Sequence, residues 1–507
     1  MRNDRPSTKH FALALTCGLA LRLFFISRFP ARSVDTRFYE ELARNWLYHG
    51  VYGIFVQGQL LPVDMRMPGY PAFLAVIRRM FGASAKPVMA VQAFIDLFTC
   101  ILIAALAARL APREQRARVA TAALWMAAMC PFLADYTAAL LAETLATFFT
   151  VAALYLLAGI LDDPRLLLPT ASLGRNTLLA RAGWWLLAGV VVGIGTLIRP
   201  ETPLVLAAAG MALLIVWHRR RDATNLLLAG TWVTAGLLLV LLPWATRNAQ
   251  TLGRVQFLSP RYAESYGDFI PRGFFAWTHT WSEHFRDAYQ VVWKIGKQPI
   301  EMNSFPTAAF DSSEEREHVA GLIARYNAGL EMTPALDREF ARLASERAGR
   351  HPFRVYGAIP AARAASIWFT PRIELLPYSG RLVPPLDLWR GNPRDFGTTA
   401  VFVLMNAAYI GLALAGWIRH GWSLTWAWGD WSPTMMMLTA FIAIRTAFLT
   451  TLQTVEPRYV MVCFPALLAI SAQAWTAHVS AEASARRATA AIPEFSAAEN
   501  KNLELSS

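Results

Sequence analysis

The sequence predicts an all-α polytopic membrane protein with about ten transmembrane helices, amphipathic helices on the outer face and a small helical extracytoplasmic region. Of the 507 residues, 55% are hydrophobic and only 16% are charged, whereas soluble domains are roughly 25% charged. Several windows exceed the roughly 20 apolar residues that cross a hydrocarbon core. The apolar runs are continuous and do not alternate as the strands of a membrane β-barrel would.

The apolar runs predict ten spans. They cover approximately residues 10–29, 88–110, 119–134, 137–160, 183–199, 202–217, 225–243, 398–417, 433–453 and 459–476. Arginines cluster in the loops after the second, fourth, sixth and eighth spans, so the positive-inside rule places both termini in the cytoplasm. The Trp-rich stretch 422–431 is a candidate for the membrane interface and leaves the count open by one or two.

This pattern divides the chain into four parts. Residues 1–243 form an N-terminal membrane module that contains the first outer loop, 30–87, and 244–397 form a polar, helical extracytoplasmic part, called the outer region below. Residues 398–478 contain the last membrane helices, and 479–507 are an Ala/Ser/Glu-rich stretch that predicts a disordered cytoplasmic tail. Within the outer region, we expect one helix from Ser312 to about Tyr326 and another that begins at Thr333-Pro334.

Charge and cysteine content exclude several kinds of partner. The net charge is +13, but its arginines lie in short loops between spans, so no nucleic-acid partner is expected. The four cysteines lie in or beside apolar segments without a CxxC spacing, which argues against disulfides and zinc. No residue pattern requires a cofactor, and dependence on a divalent metal is left open.

Asp35 opens a short amphipathic helix where the first span leaves the membrane. An aspartate at this position is often only an N-cap, whose carboxylate accepts backbone N–H groups. A carboxylate held ionised at the membrane surface is also suited to act as a general base toward an acceptor hydroxyl. The two interpretations are compatible.

Four clusters of arginine and acid are predicted on the outer face. Arg66 lies in the rigid turn RMPGYP, and Arg247 ends the seventh span in PWATRN. The other two clusters are Arg199 with Glu201, and Glu456 with Arg458. Each alone is typical of an interfacial anchor or a turn, but together they favour an anionic ligand at this face.

Three charged residues lie within or near predicted spans. Glu143 is near the outer end of the fourth span, and Asp96 shares a face of the second span with Gln92, which favours a structural pair. Arg445, inside the ninth span, requires a counter-charge or an aqueous cavity.

These motifs, in this order, resemble the GT-C superfamily of membrane glycosyltransferases. The resemblance is to the dolichyl-phosphate-mannose–protein mannosyltransferase type, family 39-like, which includes bacterial aminoarabinose transferases and other enzymes of lipopolysaccharide modification. It covers residues 10–475 and rests on Asp35 with LARNWL, RMPGYPAFLAVI, the Glu143 segment, LIRPE, PWATRN and VEPRYV. It does not specify the sugar or the acceptor.

The resemblance implies a transferase that takes a sugar from a polyprenyl-phosphate donor and moves it to a lipid, glycan or protein hydroxyl. By this resemblance Asp35 is the base, and Arg247 and Arg458 bind the donor phosphate. Arg66, whose guanidinium is fixed by its turn, is expected to bind the same phosphate. The residues expected to support the site or bind substrate are Tyr39, Tyr70, Glu143, Arg199, Glu201, Arg445, Glu456 and Tyr459. Relatives often have a second acid after the loop aspartate, where this chain has Thr36. The implied location is a bacterial inner membrane with a periplasmic site.

A transporter or flippase for an anionic lipid is the competing hypothesis. Such a protein would also use intramembrane charges such as Asp96 and Arg445. It would not need an outer region of this size, and transporters usually show repeat symmetry that is not visible here.

Overall fold

A computed structural model describes residues 8–163, 174–220, 223–262, 269–420 and 432–476. The Trp-rich stretch 422–431 and the predicted tail 479–507 lie outside these ranges. In the described residues, helices account for nearly all regular structure. They are α1 (Thr8–Arg28), α2 (Val34–His49), α3 (Gly69–Phe81), α4 (Ala85–Leu110), α5 (Arg116–Ala128), α6 (Pro131–Ala134), α7 (Glu143–Leu161), α8 (Arg175–Ile198), α9 (Leu204–Arg220), α10 (Ala223–Leu252), α11 (Arg272–His279), α12 (Phe285–Gln290), α13 (Ser313–Gly329), α14 (Pro334–Arg350), α15 (Ile359–Trp368), α16 (Pro385–Gly391), α17 (Pro393–Arg419), α18 (Pro433–Thr450) and α19 (Phe464–Ser471).

The polytopic helical fold class is confirmed. Within the described residues, eight helical segments are long and apolar enough to cross a membrane, and a bent helix pair would make a ninth. The sixth predicted span corresponds to a shorter apolar stretch, Leu204–Ile215. The last candidate, Pro457–Trp475, combines a 3₁₀ helix at Pro457–Cys463 with α19 and a 3₁₀ turn.

The third and seventh predicted spans need correction. The third is not one straight helix, because α5 and the segment Pro131–Ala138 are bent by 53°. Pro131 has no N–H to continue the hydrogen-bond ladder, so the chain turns there. The seventh span does not end at 243, because α10 continues through Pro243 to Leu252.

A buried ion pair joins the first membrane helices. Arg22 Nη2 of α1 lies 2.5 Å from Asp96 Oδ2 of α4, and both side chains are fully buried. Arg22 also donates to the carbonyls of Gly18 and Ala128. The expected pairing of Asp96 with Gln92 is therefore wrong, since Gln92 instead contacts Tyr70 and backbone carbonyls. A buried guanidinium requires a charged partner, which Gln92 does not offer.

The first outer loop contains regular secondary structure. After α2 the chain forms a hairpin of β1 (Gly53–Val56) and β2 (Gln59–Pro62), which pair antiparallel. Both turn residues, Gln57 and Gly58, have positive φ angles of 49° and 82°. This is the backbone that two-residue hairpin turns require. The hairpin leads directly to the segment that contains Arg66.

The outer region has a hydrophobic core of its own. The predicted face of α13, with Val319, Leu322, Ile323 and Tyr326, is buried. As predicted, α14 begins at Pro334 with Thr333 as its N-cap, and it packs beside α11. Aromatic residues of α11 complete this core around Trp277, which is fully buried.

Candidate active site

Helix α2 presents Asp35 in its first turn. Ser33, and not Asp35, is the N-cap, and its side chain accepts the Thr36 N–H. The Thr36 hydroxyl oxygen accepts the Ser33 N–H, and the hydroxyl donates to the Leu140 carbonyl at 3.2 Å. Because Ser33 and Thr36 complete the cap, the Asp35 carboxylate is available for other contacts.

Two arginines from distant parts of the chain hold Asp35. Arg66 Nη2 lies 3.0 Å from Asp35 Oδ1, and Arg458 Nη2 lies 2.6 Å from Oδ2. Arg66 is placed by the end of the hairpin loop, where Tyr52 donates to the Arg66 carbonyl at 2.9 Å. Arg458 is placed by the 3₁₀ helix Pro457–Cys463.

The network extends through Glu143 to the start of α9. Arg458 contacts Glu456, and its Nη1 lies 3.7 Å from Glu143 Oε1. The same Glu143 oxygen pairs with Arg199. Glu201 Oε1 then lies 3.6 Å from Arg199 Nη1 and 3.2 Å from Arg445 Nη2. The counter-charge expected for Arg445 is therefore Glu201.

This ionic network contains equal numbers of opposite charges. Its four arginines are Arg66, Arg199, Arg445 and Arg458, and its four acids are Asp35, Glu143, Glu201 and Glu456. With all eight groups ionised, these charges sum to zero. An anion that binds one of these guanidinium groups therefore competes with a carboxylate that is already paired with it.

Two carboxylates outside the membrane spans, Asp35 and Glu201, are held ionised. Burial raises the pKa of Asp35, but the charges of Arg458 and Arg66 outweigh it and hold that pKa at about 2. Burial opposes ionisation of Glu201 as well, and Arg445 and Arg199 nevertheless lower its pKa. Both groups are carboxylates at neutral pH.

Tyr459 connects three members of the network. Its ring centroid lies 5.1 Å from the guanidinium carbon of Arg199 and 5.3 Å from that of Arg458. Its hydroxyl donates to Glu456 Oε1 at 3.0 Å. Both arginines thus lie against the Tyr459 ring and are stabilised by cation–π attraction.

Tyr39 and Tyr70 lie beneath the network. Their ring centroids are 5.0 Å apart in an edge-to-face contact, and Tyr70 donates to Gln92 Oε1 at 2.8 Å. Burial raises the pKa of Tyr39 to about 12, so its hydroxyl stays protonated. These rings form an apolar support for α2 and α3.

Arg247 is not part of the ionic network. It donates to the carbonyls of Val63 and Tyr52 at 2.9 and 2.7 Å and to Asn248 Oδ1 at 3.0 Å. Its guanidinium also lies over the rings of Tyr52 and Trp244. These contacts attach the first outer loop to α10, and a phosphate-binding role for Arg247 stays a prediction.

Two buried polar atoms of the network have no hydrogen-bond partner among the described residues. They are Glu143 Oε2 and Arg199 Nε. Buried polar atoms normally have a partner, so an acceptor and a donor are available here for a ligand.

No set of three or more metal-ligating side chains is present in the described ranges. The sequence did not predict the ion pair of Asp64 with Arg254, in which Arg254 donates to both carboxylate oxygens at 2.9 and 2.7 Å. The position of Asp64 in the first outer loop was the available signal.

No protein-family model and no curated protein matches this chain. Solved structures, in contrast, are similar to this chain. The oligosaccharyltransferase of Archaeoglobus fulgidus, tethered to an acceptor peptide with an NVT sequon, gives a TM-score of 0.49 at 13% identity over 92% of this chain and 49% of that chain. ArnT from Cupriavidus metallidurans bound to undecaprenyl phosphate gives 0.36 at 14% identity, over 92% and 77%. The chain spans about half the length of the archaeal protein.

Proposed function

We propose that this chain is an integral membrane glycosyltransferase that moves a sugar from a polyprenyl-phosphate carrier to a hydroxyl group of a lipid, glycan or protein. The observation that carries the proposal is the position of the Asp35 carboxylate between Arg66 and Arg458. The reaction requires both a base for the acceptor and cations for the departing phosphate. The proposed site is on the extracytoplasmic face.

Arg66 is the best candidate for the first contact with the donor phosphate. Its side chain is 25% exposed, against 14% for Arg199 and Arg458 and 1% for Arg445. Asp35 is its acid partner in the network. A phosphate that binds Arg66 therefore needs to displace a single carboxylate oxygen.

That displacement would also activate the base. A carboxylate with a pKa of about 2 is a weak base, and it becomes stronger when a phosphate takes over an arginine that lowered its pKa. Binding of the donor and activation of Asp35 are then one event. Glu143 Oε2 and Arg199 Nε are available for further polar groups of the substrate.

In the proposed step the acceptor oxygen bonds to the anomeric carbon, and the bond from that carbon to the phosphate oxygen breaks. The acceptor proton passes to Asp35. The bonding electron pair leaves with the polyprenyl phosphate, whose added negative charge is stabilised by Arg66 and Arg458. One base without a nucleophilic carboxylate implies inversion at the anomeric carbon.

The charges that motivated the transporter hypothesis have structural partners. Asp96 is paired with Arg22, and Arg445 is paired with Glu201. Neither charge needs a transported ion to account for its presence.

A transfer assay tests the proposal. Protein in nanodiscs is incubated with labelled sugars on undecaprenyl or dolichyl phosphate and with candidate lipid, glycan and peptide acceptors. We expect an acceptor-dependent product, and we expect Asp35→Asn to lower its rate by about 10²- to 10⁴-fold.

Glu40→Gln is the matched control. Glu40 lies on the same helix, is paired with Arg78, and has the same 20% side-chain exposure as Asp35. Its variant should keep nearly full activity. If Asp35→Asn inserts normally and retains full transfer, the base assignment is wrong, whereas movement of the lipid without any acceptor-dependent product would favour a transporter.

A further inference from the structure

A short segment after α18 connects the outer region to the ionic network. Residues 450–453 comprise the last residue of α18 and the three residues after it, and only Thr454 and Val455 separate them from Glu456. The final carbonyl groups of a helix have no partners within the helix. Here, side chains of the outer region contact the carbonyl of Thr450 and those of the three residues after it.

Arg363 of α15 makes most of these contacts. Its Nη1 donates to the carbonyls of Thr450 and Leu452 at 2.7 and 3.1 Å, and its Nη2 donates to that of Gln453 at 3.4 Å. Its Nε donates to the carbonyl of Ser282 at 3.0 Å. One guanidinium thus joins α15, the Ser282 turn and the segment 450–453.

The Arg363 side chain is only 1% exposed. Burial lowers the pKa of Arg363 to about 10, which leaves the guanidinium protonated at neutral pH. A cation at the carboxyl end of a helix is stabilised by the helix dipole. All four of these Arg363 hydrogen bonds go to backbone carbonyls, so the charge is used to hold main chain.

Two further side chains hold the same segment. His279 Nε2 lies 3.0 Å from the Leu452 carbonyl oxygen, and Arg261 Nη2 donates to the Thr451 carbonyl at 2.7 Å. Both belong to the outer region. Arg363 is the most buried of the three and contacts the most carbonyls.

We propose that Arg363 is a positioning residue for the donor site, which places Glu456, Arg458 and Tyr459 through the segment 450–453. The consequence for ligand binding rests on the proposed function. Arg458 reaches Asp35, Glu143 and Glu456 from this one stretch of chain. A shift of about 1 Å in a positioning element can lower a rate about 10²-fold.

The test compares Arg363→Lys with Arg347→Lys in the full-length protein. Arg347 is also a 1%-exposed arginine of the outer region that donates to two backbone carbonyls, those of Ala308 and Ala309. Its contacts lie away from residues 450–453. Two measurements are made on each variant: hydrogen exchange of the amides of 450–459, and affinity for undecaprenyl phosphate in nanodiscs.

We expect Arg363→Lys to accelerate exchange at 454–459 and to weaken undecaprenyl phosphate binding by about 10- to 100-fold. Arg347→Lys should change neither, and Arg458→Lys should weaken binding without faster exchange at Thr450–Gln453.

Three results would overturn the positioning role. The first is unchanged hydrogen exchange in Arg363→Lys. The second is faster exchange in Arg363→Lys with unchanged undecaprenyl phosphate affinity, while Arg458→Lys binds that lipid weakly. The third is an equal loss of affinity in Arg363→Lys and Arg347→Lys. If the wild-type protein binds neither undecaprenyl nor dolichyl phosphate, the proposed function fails, and the exchange data still decide whether Arg363 holds the segment.

Discussion

At the scale of single residues, the first turn of α2 divides two tasks between neighbours. Ser33 and Thr36 satisfy the helix start, so Asp35 is not required as a cap. The Thr36 hydroxyl also donates to the Leu140 carbonyl at 3.2 Å. This contact fixes the start of α2 to the bundle.

Removing Arg66 should raise the pKa of Asp35, because one of the two charges that lower it is lost. If Asp35 is the base, Arg66→Gln will move the acid limb of the kcat/KM profile to higher pH. The measurement is transfer rate against pH for the wild-type protein and Arg66→Gln. As a control, Arg78→Gln, which removes the ion pair with Glu40 instead, should leave the acid limb at the same pH. If the acid limb does not move in Arg66→Gln, Asp35 is not the titrating group.

The same pKa shift has a consequence for stability. The folded-state pKa of Asp35, about 2, lies below its ordinary value. The pairing therefore stabilises the fold above about pH 4. This stabilisation decreases as the pH falls through the folded-state pKa and is smaller in Arg66→Gln.

At the scale of elements, α8 and α10 pack through glycines. A Cβ on Gly236 would lie 2.2 Å from the Leu186 carbonyl oxygen, and one on Gly189 would lie 2.2 Å from that of Val233. Small residues of this kind let membrane helices approach closely. This contact orients α8, whose end carries Arg199.

Gly236→Ala should therefore destabilise the protein by about 1–3 kcal/mol through overpacking. Gly230, also in α10, has open space around its Cβ position. Gly230→Ala should be neutral or slightly stabilising, because alanine favours a helix by about 1 kcal/mol over glycine. Thermal unfolding in detergent measures both, and equal melting temperatures would contradict the close helix contact.

Local sequence predicted some secondary-structure elements and missed others. The helices α13 and α14 were predicted because apolar spacing and the Thr333-Pro334 cap are local signals. The hairpin at residues 53–62 was not predicted, since its turn, Gln57-Gly58, lies in a short and mixed stretch. The bend at Pro131 was hidden because both of its sides are apolar.

At the scale of the whole molecule, the ionic network gathers α2, the first outer loop, the starts of α7 and α9, α18 and residues 456–459 at one site. From the positive-inside rule we predict that this site lies on the side of the membrane opposite the basic loop between α4 and α5.

A labelling experiment tests the predicted sidedness. In spheroplasts, a cysteine introduced as Gln57→Cys at the exposed hairpin turn should react with an impermeant maleimide. Arg113→Cys, in the exposed turn after α4, should react only after permeabilisation. The reverse pattern would place the site in the cytoplasm. The parent protein controls for the native Cys17, which is partly exposed.

The sequence by itself determined the helical membrane class, the approximate spans and the residue types of the site. These depend on local properties, namely apolar length, helix caps and the scarcity of charge near a membrane. Only the tertiary structure decided the pairings. Asp35 and Arg458 are 423 positions apart, Arg247 anchors the loop instead of joining the network, and Arg363 contacts the segment beside Arg458. Such partners depend on which helix ends meet in space, and no local spacing encodes that.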